Sequence, residues 1–478
     1  MNPQPERIVV APVPIDLPRA SILRTGARLG RMSALGARYF VPVAGRTLLR
    51  RDARAPHAAR LLFERLGATY IKFGQFIASA PGLVGEEVAA EFRGCLDTGP
   101  SIPFDYVRTA VEDAIGGPLS SAFSDFAEEP VAAASIAVVH RARLLDGSDV
   151  AVKVLRPGIE RTVAADLAVL ERWVRFIAAR GVDHGYDLVG LIVGLRMTIA
   201  EELDLRNEAR TMDTFRGLFD RFGLSLLVVP RVHPQHSSSR VLVMEFLEGS
   251  SIDDFAHAEA AGIDPRPLVR ELLKAWVLTG LRVGAFHADI HAGNLVLMPD
   301  GRLGMLDWGI VARMEDESYR LFRALCEASL GREEAWDVIG TMVLELNGPG
   351  LSALGLTEPQ IRHFARELFE PVLTHPLSQV SMADMMMSGD EVILKATGEA
   401  PSRRSLRDRW RSMRTAARAY RQAAANRVFE HPTQRMGFLS MKQLIYLEHY
   451  GRMYIPDESL LGDGDFVRRA LEGDPVAT

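Results

Sequence analysis

The chain has 478 residues, 47% of them hydrophobic, enough for one large domain with extensions or for two to three domains. A net charge of −5 argues against nucleic acid as a partner, and two distant cysteines, Cys95 and Cys326, argue against a disulfide framework or a zinc site. No stretch reaches the roughly 18–20 uncharged apolar residues that span a bilayer, and no secretory signal is visible, so a cytoplasmic protein without a transmembrane segment is expected.

Charge is uneven along the chain. Residues 1–66 hold twelve arginines and four acids, a local net charge of +8. Lysine is scarce: Lys72, Lys153, Lys274, Lys395 and Lys442 are the whole set. Arginine and lysine are not interchangeable at a phosphate or in a tight pocket, which makes each of the five worth following.

Residues 1–55 read as a basic segment with weak helical periodicity. From Pro56 to about Arg93 the apolar spacing predicts helix, with a stripe through Ala58, Leu61, Leu62 and Leu66. A break at Gly99-Pro100 and Pro103 follows, then a helix over Val107–Ile115. Val131–Ala142 and Asp149–Val154 are β-prone and flank the turn signal Asp146-Gly147. Two long helices are predicted over about 158–180 and 188–217. A short apolar strand covers Arg240–Phe246, and a hairpin pairs Leu295–Met298 with Leu303–Leu306 around Asp300-Gly301. The order is a strand-rich half followed by a helix-rich half.

The segment from His287 to Gly309, HADIHAGNLVLMPDGRLGMLDWG, concentrates the chemistry. It sets Asp289 two residues after a histidine, Asn294 five residues later, and Asp307-Trp308-Gly309 beyond the hairpin. Phosphoryl transfer needs a proton acceptor near the attacking hydroxyl and oxygen ligands for Mg2+ on the phosphates. Asp289 fits the first role; Asn294 and Asp307 fit the second. His287 and His291 read as loop-structuring groups. Upstream, Lys153 interrupts the alternating apolar strand DVAVKV, where an ammonium is costly unless it meets anions such as the phosphates of ATP. In Glu201–Glu208, Asp204 and Glu208 are four apart and are predicted to share a helix face, so one acid there can pair with Lys153. Residues 403–427 carry nine arginines against one acid, with Leu406, Trp410, Met413, Ala417 and Tyr420 at helical spacing. This suits either a solvated helix or one lying on an anionic membrane.

In this order the motifs resemble the AarF/UbiB atypical kinases over about residues 60–345. The most specific piece is Lys72-Phe73-Gly74-Gln75, which is similar to the family's Lys-x-Gly-Gln motif. The resemblance implies that Lys72 and Gln75 lie across the cleft and obstruct protein substrates. Ala132-Ala133-Ala134-Ser135 stands where a kinase has its glycine-rich phosphate loop, and Glu202-Leu203-Asp204 matches the family's Glu-x-Asp motif. Glu208 then looks like the helix glutamate that partners Lys153, and Met244-Glu245-Phe246 resembles the hinge that meets adenine. Three departures stand out: Ala137-Val138 follows the alanine-rich loop instead of Gly-Gln, Trp308 replaces the usual phenylalanine, and Ile290 and Ala292 stand at positions often occupied by proline. The implied fold is α+β, a two-lobed protein-kinase-like fold with a helical N-terminal extension and a helical C-terminal tail. The expected segments are a basic segment (1–55), an extension (56–125), a small lobe (126–248), a large lobe (249–345) and a helical C-terminal region (346–478). The implied cofactors are ATP and Mg2+. An enzyme acting on a small molecule or lipid, linked to isoprenoid-quinone metabolism and touching anionic membranes peripherally, is one reading. A nucleotide-binding pseudokinase is the alternative, and an aminoglycoside- or choline-type phosphotransferase, which would lack Lys-Phe-Gly-Gln, ranks last.

Overall fold

The structure is a computed structural model, and it describes residues 17–48, 55–78, 86–92, 94, 99, 101–179, 188–254, 258, 260–353, 356–382 and 432–473. The basic stretch at 403–427, with its two candidate behaviours, lies outside the described residues, as do Cys95 and Lys395.

Four helices open the described chain: α1 (Ile22–Leu48), α2 (Ala55–Leu66), α3 (Ala68–Ala78) and α4 (Glu86–Phe92). Weak periodicity in residues 1–55 understated α1, a 27-residue helix that keeps Pro42 inside it. Gly67 separates α2 from α3 by taking φ +98, a left-handed conformation open to glycine, and this turn sets the direction of the helix that carries Lys72. The extension is pinned at a buried carboxylate. Asp166, from α6 (Ile159–Ala179), accepts hydrogen bonds from the Arg28 guanidinium of α1 at 2.5 Å and the Thr69 hydroxyl of α3 at 2.9 Å.

A small lobe follows. Helix α5 (Phe104–Ile115) covers one face of an antiparallel sheet built from β1 (Phe123–Ala133), β2 (Ala137–Leu144), β3 (Asp149–Leu155) and, later in the chain, β5 (Val241–Glu245), in the order β1-β2-β3-β5. The two-residue strand period sorts β3 cleanly. Val150, Val152 and Val154 face α5 with Val107, Val111, Val241 and Val243, all fully buried. Each such burial stabilises by roughly 1.5–3 kcal/mol. Ala151 and Leu155 turn to the opposite face and join the main core, and Lys153 shares their face. The strand predicted over 131–142 is two strands, because the chain turns at Ala134–Ile136.

The helix predicted over 188–217 is also two: α7 (Leu188–Glu202) and α8 (Leu205–Arg221). Asp204 ends the first and caps the second in extended conformation (φ −128), its side chain accepting from the Arg206 N–H. Asp204 and Glu208 therefore do not share a helix face.

The large lobe holds a sheet ordered β4-β9-β8-β6, from Leu227–Val228, Leu303–Met305, Leu295–Leu297 and Ser250–Ser251. A two-strand ribbon pairs β7 (Ala285–His287) with β10 (Val311–Arg313). Helices α9 (Pro265–Arg282), α10 (Asp316–Ser329), α11 (Glu334–Ala353) and α12 (Glu358–Thr374) follow, and α13 (Pro432–Tyr454) and α14 (Gly464–Glu472) close the described chain. The helix-rich, two-lobed α+β arrangement agrees with the fold class the motifs imply. Among the described residues no helix is long and apolar enough to cross a membrane.

Candidate active site

The site is assembled where the small lobe's β3 meets the loops of the large lobe. Lys153 hangs from the core-facing side of β3. Its ammonium donates to both oxygens of Glu208, at 3.0 and 2.9 Å, and to Asp307 Oδ1 at 3.0 Å. Burial opposes the charge on Lys153, but the pull of Asp307 and Glu208 outweighs it and raises its pKa. Glu208 sits in the first turn of α8 at 3% exposure. Burial pushes its carboxyl up to about 7 against the attraction of Lys153, with the like charge of Asp307 adding to the rise. Asp307 is different. Its side chain is 40% exposed. Burial pushes it up, but Lys153 and then Lys72 more than reverse this and hold it well below the usual carboxylate range.

Asp307 is also the one non-glycine with positive φ among the described residues, at 49°. Aspartate tolerates this left-handed region better than most residues, and strain of this kind is kept only where surrounding structure over-determines it. Here Trp308 supplies the anchor. It is 1% exposed, packs against Phe215 and His287 with ring centroids 4.8 and 4.5 Å apart, and donates its Nε1–H to the Met305 carbonyl at 2.8 Å. The indole in place of phenylalanine thus gains a hydrogen bond to the strand that precedes it.

The loop from His287 to Asn294 is organised by its own polar groups. His287 Nδ1 accepts the Asp289 N–H at 3.1 Å, so the network places the ring proton on Nε2, which meets the Leu306 carbonyl at 3.1 Å. Burial lowers the His287 pKa, consistent with a neutral ring. His291 Nδ1 accepts from the Gly293 N–H. Asn294 donates its amide to the Asp289 carbonyl at 2.9 Å, which leaves its side-chain carbonyl as the oxygen it can offer a cation. Asp289 projects from this loop with 8% exposure. Burial would raise its pKa, but Lys442, His291 and Lys72 bring it below its ordinary value.

From the extension, Lys72 on α3 pairs with Glu202 at 2.9 Å, both nearly buried. The pair adjoins the Asp307 turn: a side chain on Gly309 would approach Glu202 Cγ at 3.5 Å and Asp307 Oδ1 at 3.2 Å. Gln75 lies nearly one turn further along α3. Asp204, the other acid of Glu-x-Asp, is turned away to Arg206, whose guanidinium it holds at 2.5 Å. Glu201 pairs with Arg313 of β10 at 2.9 Å.

Ala132 and Ala133 are the last residues of β1, and Ala134 and Ser135 form the turn. The turn is held from outside: Gly99 N–H donates to the Ala133 carbonyl at 2.8 Å, and the Arg156 guanidinium donates to the Ala134 carbonyl at 2.8 Å. At the expected adenine edge, the Glu245 N–H donates to Arg231 O and the Phe246 N–H to Asp149 O. Those two amides are engaged within the protein.

Lys442 was missed as a site residue. It comes from α13 and its ammonium sits 2.5 Å from Asp289 Oδ1, the pair only 12% exposed on each side. Three ammonium groups (Lys72, Lys153 and Lys442) therefore face four carboxylates (Glu202, Glu208, Asp289 and Asp307). Magnesium needs only one or two protein oxygens besides phosphate and water, so Asp307 and Asn294 are a chemically fitting set.

Residues 95–335 match the model of the ABC1 atypical kinase-like domain. An uncharacterised aarF domain-containing protein kinase of Arabidopsis thaliana, described as chloroplastic, is 32% identical over 86% of this chain and 74% of its own length. An uncharacterised Mycobacterium tuberculosis protein is 34% identical over 84% of this chain and 75% of its own. A probable protein kinase UbiB from Aeromonas salmonicida is 32% identical over 69% of this chain, which spans 60% of that relative.

Proposed function

The chain belongs to the ABC1 atypical kinase-like family, that of the aarF-domain and UbiB kinases, and from that premise we propose that it binds Mg-ATP between its lobes and transfers the terminal phosphoryl group to a small acceptor or to water. The observation that carries this reading is the Lys153–Glu208–Asp307 cluster, with Asp289 and Asn294 on the adjoining loop. Bound Mg-ATP supplies the phosphoryl group. Lys153 meets phosphate oxygens while Glu208 fixes its position, and Asp307 with Asn294 ligates the magnesium. Asp289, kept ionised, takes the proton of the attacking hydroxyl as that oxygen bonds to phosphorus and the bond to the ADP oxygen breaks. The Ala132–Ser135 turn covers the phosphates; alanine restricts φ, so fewer backbone N–H groups can close on them than in a glycine-rich loop. Lys72 and Gln75 narrow the acceptor side and disfavour proteins.

The acceptor class we favour is a small molecule of isoprenoid-quinone or lipid metabolism, on the strength of the UbiB-named relatives. Peripheral contact with an anionic membrane belongs to the same reading: on arginine-rich α1, Ile22, Leu23, Leu29 and Val41 are all more than half exposed. The Lys442–Asp289 pair favours one alternative, a nucleotide-binding regulator in which Asp289 is held out of chemistry. ATP hydrolysis by the purified protein, with and without anionic liposomes and phenolic quinone precursors, separates the two. Turnover that falls at least 100-fold in Asp289→Asn supports the enzyme; equal rates in wild type and variant exclude it.

A further inference from the structure

We propose that Lys442 of α13, paired with Asp289, is a residue of the nucleotide site that moves from this carboxylate to the terminal phosphate of ATP. This rests on the Mg-ATP reading above and deepens it.

Helix α13 is built onto the catalytic loop through one face. Lys442, Tyr446 and Tyr450 recur every four residues and so line up along the helix. Lys442 reaches Asp289, the Tyr446 ring lies 6.5 Å from that of His291, and the Tyr450 hydroxyl donates to the Ile290 carbonyl at 2.9 Å. Further along, Tyr454 donates to the Ile252 carbonyl at 2.7 Å, and Glu448 accepts the Met382 N–H at 2.7 Å. Gln443, beside Lys442, is 2% exposed. The ammonium is thus delivered by a docked helix and not by a surface side chain that happens to reach inward. The matched domain ends at residue 335, so this group lies more than a hundred residues beyond it.

Distance then fixes what Lys442 can reach. A general base must lie about 2.6–3.2 Å from the hydroxyl it deprotonates, and that oxygen about 3–3.5 Å from the atom it attacks. An ammonium 2.5 Å from Asp289 is therefore within a side-chain rotation of the transferring phosphoryl group. Charge points the same way. Lys72 and Lys153 hold Glu202 and the Glu208–Asp307 pair, whereas Lys442 holds the one carboxylate that has to accept a proton. Moving to phosphate frees Asp289 and places a cation where negative charge gathers. Asp289 is faced also by His287 and His291 from its own loop, Lys72 from α3 and Tyr446 from α13.

Calorimetric titration of the full chain with Mg-ATP and Mg-ADP tests this apart from turnover. Lys442→Met is expected to weaken Mg-ATP binding about tenfold, near 1.4 kcal/mol, and to leave Mg-ADP within about threefold. Lys442→Arg should recover most of the loss. Asp289→Asn, which releases Lys442 from its partner without changing shape, should strengthen Mg-ATP but not Mg-ADP, and adding Lys442→Met should erase that gain. Equal losses for both nucleotides in Lys442→Met, or no ATP-specific gain in Asp289→Asn, overturn the proposal while leaving the nucleotide site standing. Wild-type protein that binds neither nucleotide overturns both.

Discussion

Replacing Lys153 with methionine keeps the length of the side chain on β3 and removes the charge that two carboxylates share. Breaking a buried pair from one side typically costs about 3–5 kcal/mol, because the remaining charge is uncompensated. The structure divides that cost. Asp307 is 40% exposed, so water screens much of its loss; Glu208, at 3%, carries most of the penalty. Glu208 has a folded pKa raised from 4.5 to about 7. A carboxyl raised in this way favours the fold fully below about pH 4.5, and that contribution is lost as pH rises towards the folded value. In wild type the loss stops near pH 7. Without Lys153 the Glu208 pKa rises further and the loss continues. Between pH 7 and 8 this adds up to about 1.4 kcal/mol to the difference. Lys153, raised, and Asp307, lowered, add no slope in that range. With the lost hydrogen bonds at about 1–2 kcal/mol, Lys153→Met should cost roughly 1–2 kcal/mol at pH 6 and about 3 kcal/mol at pH 8. Urea unfolding followed by tryptophan fluorescence at the two pH values measures this. A cost equal at both, or larger at pH 6, would refute the assignment of Glu208 as the buried partner.

Two further outcomes follow from the extension and the basic segments. If Lys72 and Gln75 obstruct the cleft, wild-type protein with radiolabelled ATP should leave casein and myelin basic protein unlabelled; robust labelling of either contradicts the obstruction. The arginines of residues 403–427 and of α1 should give binding to anionic but not zwitterionic liposomes, strong at low salt and weak at high salt, because each basic residue near the surface contributes on the order of 1 kcal/mol and is screened. Changing Arg407, Arg411 and Arg414 to Glu together should weaken co-sedimentation, and no preference for anionic lipid at low salt would reject the membrane contact.

Legibility in the sequence followed the range of the interactions. Lys153, Asp289, Asn294 and Asp307 stood out because local spacing and strand alternation carry them, and the hairpin at Asp300-Gly301 was written in its turn residues. Strand β1 was read too short at its start: Phe123–Ala133 is polar at many positions and contains Pro130, which lacks a ladder donor and sits at a register shift on the sheet's edge. The break between α7 and α8 has no glycine or proline. Its signal was Asp204 as a cap, which the acidic run around it concealed. Lys442 could not be placed from sequence, since it meets Asp289 across 153 residues and no local pattern marks it. Scarcity was the available clue: of the four described lysines, three pair with the carboxylates of the candidate site.

The proposed Mg-ATP site, with Asp307 as the metal's carboxylate, is put to the test by calorimetric titration of Mg-ATP into wild type and Asp307→Asn. Asparagine keeps the shape of the turn and removes the carboxylate proposed to ligate the magnesium. Wild type is expected to bind saturably and with magnesium dependence, and the variant at least tenfold more weakly. Equal Mg-ATP affinity in the two proteins would contradict it.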